Sequence, residues 1–510
     1  MQPVQLLHYD WIANHALRRG GALAAVDLAT GRRFSYAAFH ARIDGVAATL
    51  AADFGVRQGD RVAVLAQGST DVFEVQFACF RLGAIFVPLN WRLAEPELVA
   101  ILANCEPALL IHDAGFAENA ARLAQGCGAR LLASGPGSAF EAAASSGREV
   151  QARARMRLED CCTILYTSGT TGLPKGVVVT YAMNLFNAIQ LAGLVRLSAR
   201  SVFLALLPLF HTGGLNVFSN PVFHTGGTVV VVSAFDPAEM LRLLGDPAMG
   251  ITHVFGVPAH YQFPAALPAF KTTDFSGLEL AGVGAAPAAL SLIEAWQARK
   301  VMLTQGYGMT ETGPLVLYLD QEDAVRKAGS AGKTAMHGEM RLVDPQGRDV
   351  GDDAVGEIWV RGPNVTPGYW RNEAATAAAF SDGWLRTGDA AIRDAEGYYF
   401  IVDRWKDMYI SGGENVYPAE VENVLYRMEG VAEAAVIGVP SARWGEAGLA
   451  VLVLQPGVRM TEGDVIAFCA RHLARYKLPH AVAFTDVLPR NATGKVHKPT
   501  LRGRFGTALA

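Results

Sequence analysis

Up to about Gly338, short aliphatic runs of strand length alternate with Ala- and Leu-rich stretches of helical length. This alternation limits the fold more tightly than any other feature. Arg61-Val62-Ala63-Val64-Leu65 and Thr163-Ile164-Leu165-Tyr166 read as buried strands, and Asp71–Leu82 and Ala288–Arg299 as helices. Such a pattern predicts an α/β architecture with largely parallel sheets. Beyond Gly338 the runs EMRLVD, GEIWVRG and GYYFIVD predict a smaller β subdomain, and the segment after Asp403-Arg404 reads as mixed α+β. The expected division is a large N-terminal domain, residues 1–402, and a small mobile C-terminal α+β domain, residues 403–510. The Ala/Ser/Gly-rich stretch Gly135–Gly147 is expected to be a surface loop.

Bulk properties then exclude several classes. A chain of 510 residues exceeds what one core can organise. With 51% hydrophobic and 18% charged residues it is a globular, ordered protein. A net charge of −4 carries no electrostatic footprint for nucleic acid. The six cysteines lack C-x-x-C spacing, and Cys161 and Cys162 are adjacent, so reduced thiols are expected. The N-terminus lacks a secretion-signal pattern, and runs such as Thr228–Val232 are too short to span a bilayer. A cytoplasmic location is the expectation.

Residues 167–175, TSGTTGLPK, carry the chemistry. Six of the nine are Gly, Ser or Thr, and Lys175 is one of only nine lysines in the chain. Small residues let backbone N–H groups close on phosphate oxygens, and a lysine and hydroxyls complete the cradle. A P-loop NTPase is excluded, because Lys175 is preceded by Pro174 and followed by Gly176. The loop follows a predicted buried strand, where α/β proteins bind ligands.

YTSGTTGLPKG resembles the phosphate loop of the adenylate-forming superfamily, which includes acyl- and aryl-CoA synthetases, amino-acid adenylation domains and beetle luciferases. Further segments resemble that family in its order. They are Leu207–His211 (LPLFH), Gly282–Pro287 (GVGAAP), Tyr307–Glu311 (YGMTE), Gly383–Asp389 (GWLRTGD), Asp403–Asp407 (DRWKD), Ser411–Asn415 (SGGEN) and Pro489–Lys495 (PRNATGK). Gly83–Asn90 (GAIFVPLN) extends the likeness toward the N-terminus.

The resemblance implies ATP, Mg²⁺ and coenzyme A as cofactor and co-substrates, and two half-reactions on one site. Thr167, Ser168, Gly169, Thr170, Thr171, Gly172 and Lys175 would hold the β- and γ-phosphates. Glu311 would bind Mg²⁺, with Thr167 as a second ligand. Thr310 would contact the α-phosphate, while Gly284, Ala285, Ala286, Pro287, Gly306, Tyr307 and Gly308 would surround the adenine and acid. Asp389 and Arg404 would bind ribose, and Lys495 would neutralise charge on the α-phosphate. His211 would stand at the mouth of the acid pocket. Lys406 would be the hinge, and Gly412 and Gly413 would let the pantetheine arm pass. The resemblance also names a lysine acetyltransferase acting on Lys495 as a partner, and admits a homodimer.

The residues after Phe210 narrow the choice of acid. Amino-acid adenylation domains place an aspartate soon after this phenylalanine, whereas His211-Thr212-Gly213-Gly214 would leave a substrate ammonium unpaired. Gly308 stands where acetyl-specific relatives have tryptophan, which implies a pocket open to larger acids. An apolar lining of Phe210, His211, Gly213, Val283, Gly284, Gly308, Pro314 and Leu315 suits a hydrophobic acid. The expectation is an acid–CoA ligase favouring medium- or long-chain fatty acids. The alternatives are an aryl acid of the coumarate or ferulate kind, and acyl transfer to a carrier protein.

Overall fold

The computed structural model describes residues 5–167, 174–286, 288–404, 407–411, 414–441, 444–490 and 495–506. Two large sheets carry the N-terminal part. One has six strands, in the order Arg130–Ala133, Leu109–His112, Arg61–Leu65, Ile85–Pro88, Cys161–Thr167 and Lys175–Thr180. All neighbours are parallel except the last pair, a hairpin closed by residues 167–175. The other has nine strands and a parallel centre: Leu303–Gly308, Leu280–Val283, His253–Gly256, Val202–Ala205, Thr228–Val231 and Leu23–Asp27. Antiparallel strands flank that centre on both sides.

Strand alternation divides the core into layers. Val62 and Val64 face a cluster shared with Phe203, Val229 and Phe255 of the nine-stranded sheet, so the two sheets pack across a common helical layer. Ala63 and Leu65 face the opposite way, into a second cluster, and Leu204 and Val283 point into a third with Trp296. Parallel sheets must be covered on both faces, and these are.

The helix Thr70–Leu82 lies in the shared layer with all 13 residues buried. Its buried charges are paired: Asp71 with Arg32 at 2.6 Å, Glu74 with Arg42 at 2.7 Å and Arg81 with Asp44 at 2.8 Å. Without such partners these groups would be costly to bury.

Residues 135–147, expected as a loop, contain the helix Ala139–Ala144, whose Phe140, Ala143 and Ala144 are buried. The Ser138 hydroxyl accepts from the Glu141 N–H, and Glu141 pairs with Arg42 at 2.7 Å. Small residues masked a short amphipathic helix held by one aromatic anchor and by ion pairs of Glu141 with Arg42 and Arg32.

The β subdomain is a five-stranded antiparallel sheet that includes Glu339–Val343, Val355–Arg361, Trp384–Arg393 and Tyr399–Arg404. The next sheet pairs Val431–Ser441 with Gly445–Leu454 and carries its own apolar clusters on its two faces. The fold is thus α/β with a large N-terminal part, a β subdomain and a small C-terminal α+β part. Strand pairing runs through Arg404, opposite Asp389, and so crosses residues 402 and 403.

Candidate active site

Thr167, residues 284–286 and Tyr307 stand at the C-terminal ends of strands in the two large sheets, the edge at which α/β proteins bind ligands. Thr167 and Lys175 face each other across the hairpin, with the Thr167 hydroxyl donating to the Lys175 carbonyl at 3.5 Å. Gly176 has no room for a side chain. A Cβ there would lie 2.8 Å from Ile164 Cγ2 and 3.1 Å from the Tyr166 ring.

A loop distant in sequence stitches this hairpin to the Thr310–Thr312 turn. The Trp370 N–H donates to the Gly176 carbonyl at 2.7 Å, and the Val178 N–H to the Gly368 carbonyl at 3.1 Å. The Thr366 N–H donates to the Glu311 carbonyl at 2.8 Å, and the Thr366 hydroxyl to the Val178 carbonyl at 2.6 Å. Tyr369, in the same loop, donates its hydroxyl to Glu311 Oε1 at 2.9 Å. The Lys175 ammonium lies over the Tyr369 ring, 5.2 Å from its centre. Thr310 and Glu311 are both buried. Sequence reading assigned nothing to Tyr369. It lies 58 residues from Glu311, and no local spacing announces the pair.

Tyr307 ends its strand with its hydroxyl bonded to Asp389 Oδ2 at 2.7 Å, joining two motifs from different sheets. Asp389 is fixed in turn: its N–H donates to the Thr387 hydroxyl, which donates to the Ile358 carbonyl at 2.8 Å. Gly388 has φ of 71°, a left-handed backbone that favours glycine, and its N–H donates to Glu357 Oε1. Tying the Tyr307 hydroxyl sideways leaves a planar ring beside a buried carboxylate.

His211 accepts at Nδ1 from the Gly213 N–H at 3.0 Å, so the neutral ring carries its proton on Nε2. Burial, and then the Lys495 charge, push its pKa down to about 4. His211 is therefore a neutral hydrogen-bond donor at physiological pH. The Lys495 charge is the second, smaller cause of that shift.

The wall behind His211 is partly different from the sequence expectation. Gly282 and Gly284 turn toward Phe255, where a Cβ would meet the ring at 2.9 and 2.8 Å respectively. Val283, between them, points to the opposite face and packs with Leu204 and Trp296, so it does not share a lining with the two glycines. Gly308 is not an open position either. A Cβ there would lie 1.7 Å from the Pro314 carbonyl oxygen, across the irregular pairing with Leu315. Its glycine serves close backbone approach. Gly306 likewise faces Leu315, and a Cβ added to it would lie 3.0 Å from Leu315 Cδ1.

Phe203, Phe218 and Phe255 form a stack with ring centres 5.1 and 5.7 Å apart. With Leu191, Gly282, Gly306 and Leu315, two of these rings (Phe218 and Phe255) enclose a cavity of about 10 Å³. Sequence reading missed both. Phe218 sits on a π-helical turn, Gly213–Ser219, a rare conformation that no residue pattern signalled.

Ala285, at φ of 66°, and Ala286 are exposed at the strand end. Ser168, Gly169, Thr170, Thr171, Gly172, Pro287, Lys406, Gly412 and Gly413 lie outside the described residues, as does the side chain of Arg404. The acetyltransferase and homodimer expectations gain no support from the geometry. No described helix is long and apolar enough to cross a membrane.

Comparison with known proteins agrees with this geometry. Residues 12–370 match the AMP-binding enzyme family, and residues 420–495 its C-terminal domain. The chain is 43% identical to a feruloyl-CoA synthase of Amycolatopsis, over 93% of this chain and 95% of that one. It is 40% identical to an indoleacetate–CoA ligase of Aromatoleum aromaticum, over 97% of each. Among solved structures it resembles ATP-bound MatB of Rhodopseudomonas palustris, with a TM-score of 0.91 and 33% identity over 98% of this chain and 99% of that one. The chain belongs to the AMP-binding enzyme family and is an acid–thiol ligase of the AMP-forming acyl-CoA synthetase type.

Proposed function

We propose that the protein joins an aryl-substituted carboxylic acid to coenzyme A through an acyl-adenylate. This replaces the fatty-acid preference expected from the apolar lining alone. The observation that carries it is the phenylalanine stack behind Gly282 and Gly284. Aromatic faces favour offset and edge contacts with another ring, and a closed aromatic floor limits acid length. The relatives named for feruloyl and indoleacetate substrates, both aromatic acids, support the same reading.

In the first half-reaction the acid carboxylate, ionised at neutral pH, attacks the α-phosphate of ATP and pyrophosphate leaves. In the second the coenzyme A thiol attacks the acyl carbonyl and AMP leaves. The first step needs no general base. It needs placement and charge neutralisation. The neutral His211 offers its Nε2–H to the carboxylate, Lys495 neutralises charge at the α-phosphate, and Thr310 orients it. Residues 167–175, with Lys175, hold the departing phosphates. Tyr307 and residues 284–287 border the adenine, and Asp389 and Arg404 hold the ribose.

Glu311, a buried carboxylate beside the phosphate loop, suits Mg²⁺, which keeps water and phosphate oxygens as most of its ligands. Thr167 is the second candidate ligand. When bound, the ion would neutralise triphosphate charge. For the second half-reaction we place a hinge at Lys406 between an N-terminal domain and the domain from about residue 403. Its rotation withdraws Lys495 and brings Gly412 and Gly413 to the pantetheine arm.

The test is ATP–pyrophosphate exchange over ferulate, indoleacetate, octanoate and palmitate, followed by thioester assay with coenzyme A. Exchange with the aryl acids should exceed that with either fatty acid. Faster exchange with palmitate would return the assignment to fatty acids.

A further inference from the structure

Tyr369 touches both Glu311 and Lys175, the two charged groups proposed above to serve the metal and the departing phosphates. Its hydroxyl donates to Glu311 Oε1 at 2.9 Å, and its ring lies under the Lys175 ammonium at 5.2 Å. Its backbone is held on two sides. It bridges to Val177 of the hairpin strand, and its N–H donates to the Thr376 hydroxyl at 2.9 Å. The flanking residues pin the same loop to Gly176, Val178 and the Glu311 carbonyl. The held backbone fixes where the ring starts, and the hydroxyl bond orients Oε1 of the Glu311 carboxylate toward it. A carboxylate has about four lone-pair sites, so accepting one phenol proton is compatible with ligating a cation.

We propose that Tyr369 is a positioning residue that presets Glu311 for Mg²⁺, and with it the metal-bound triphosphate. Partners that orient a ligating carboxylate tune metal affinity by about 10–100-fold. The Lys175 contact is an independent property of the ring, worth little at a half-exposed site. The two functions of the side chain separate in Tyr369→Phe, which keeps the ring and removes the hydroxyl that donates to Glu311. The proposal rests on the adenylation reading, though not on which acid is used.

The experiment is isothermal titration of the full chain with α,β-methylene ATP at stepped Mg²⁺ concentrations, with AMP titrated in parallel. Tyr369→Phe should raise the Mg²⁺ concentration for half-maximal analogue binding about tenfold or more. AMP affinity and thermal midpoint should stay at the parent values. On a Glu311→Gln background, Tyr369→Phe should add nothing, because its effect passes through that carboxylate. A Mg²⁺ midpoint within about twofold of the parent, or an equal loss of AMP affinity, would overturn the proposal. So would a full additional loss in the double variant. A parent that bound neither nucleotide would instead overturn the adenylation reading itself.

Discussion

The N-terminal strand ends and the C-terminal segment with Lys495, proposed to serve one site, are built in opposite ways. Thr310, Glu311 and Asp389 are buried, and each rests on backbone held by strand pairing or by hydrogen bonds from a distant loop. Lys495 is only half-buried, and it belongs to a region whose sheet has its own core. A described link between the two regions is a single hydrogen bond from Gln262 Nε2 to the Ala432 carbonyl, at 3.2 Å. Groups that bind the nucleotide throughout the cycle gain from rigidity. A group needed in only one half-reaction gains from being removable. The difference in packing fits the difference in duty proposed for these groups.

The largest effect that would test this contrast is at Lys495. Lys495→Ala should slow ATP–pyrophosphate exchange by about two to three orders of magnitude, the usual cost of one transition-state charge contact. Thioester formation from supplied acyl-adenylate should persist near the parent rate. Equal loss in both assays would mean that Lys495 is as permanent a part of the site as Glu311.

A smaller effect belongs to the rigid side. Gly308→Ala forces a methyl group against the Pro314 carbonyl and should destabilise the protein by on the order of 1–3 kcal/mol. Urea denaturation measures it. A variant of unchanged stability that instead prefers shorter acids would restore Gly308 as the open wall of the acid pocket.

The smallest effect joins the two regions through His211. Its pKa is depressed to about 4 from 6.5, first by burial and then by Lys495. The unfolded chain therefore binds the proton first. His211 contributes stability that is lost as pH falls from about 6.5 toward 4. In Lys495→Met the His211 titration, followed by NMR, should move upward yet stay below 6.5, because burial remains. An unmoved titration would show that Lys495 does not dwell beside His211 in the free enzyme.

The family and its reaction class were legible from sequence because the motifs that carry them are local. A phosphate loop needs small residues in succession, and a strand end followed by His211 or by Thr310-Glu311 places those groups through backbone geometry alone. The parallel sheets were legible for a related reason, since strands covered on both faces must be continuously apolar.

Side-chain direction and long-range contact were not legible. Whether Val283 or Gly282 faces the acid depends on strand register, which alternates with every residue. Gly308 resembles an open pocket position until Pro314 is brought against it by the neighbouring strand. The helix Ala139–Ala144 exists because Phe140 and Glu141 find partners elsewhere in the N-terminal part. Tyr369 reaches Glu311, and Phe255 closes over two glycines, only once strands distant in sequence are paired. Residue order alone settled the reaction class, because charge and backbone freedom reside in single residues and short loops. The close approach of Pro314 to Gly308 and the partners of Glu311 and Asp389 waited on the folded chain, because volume and hydrogen bonding are properties of groups packed together.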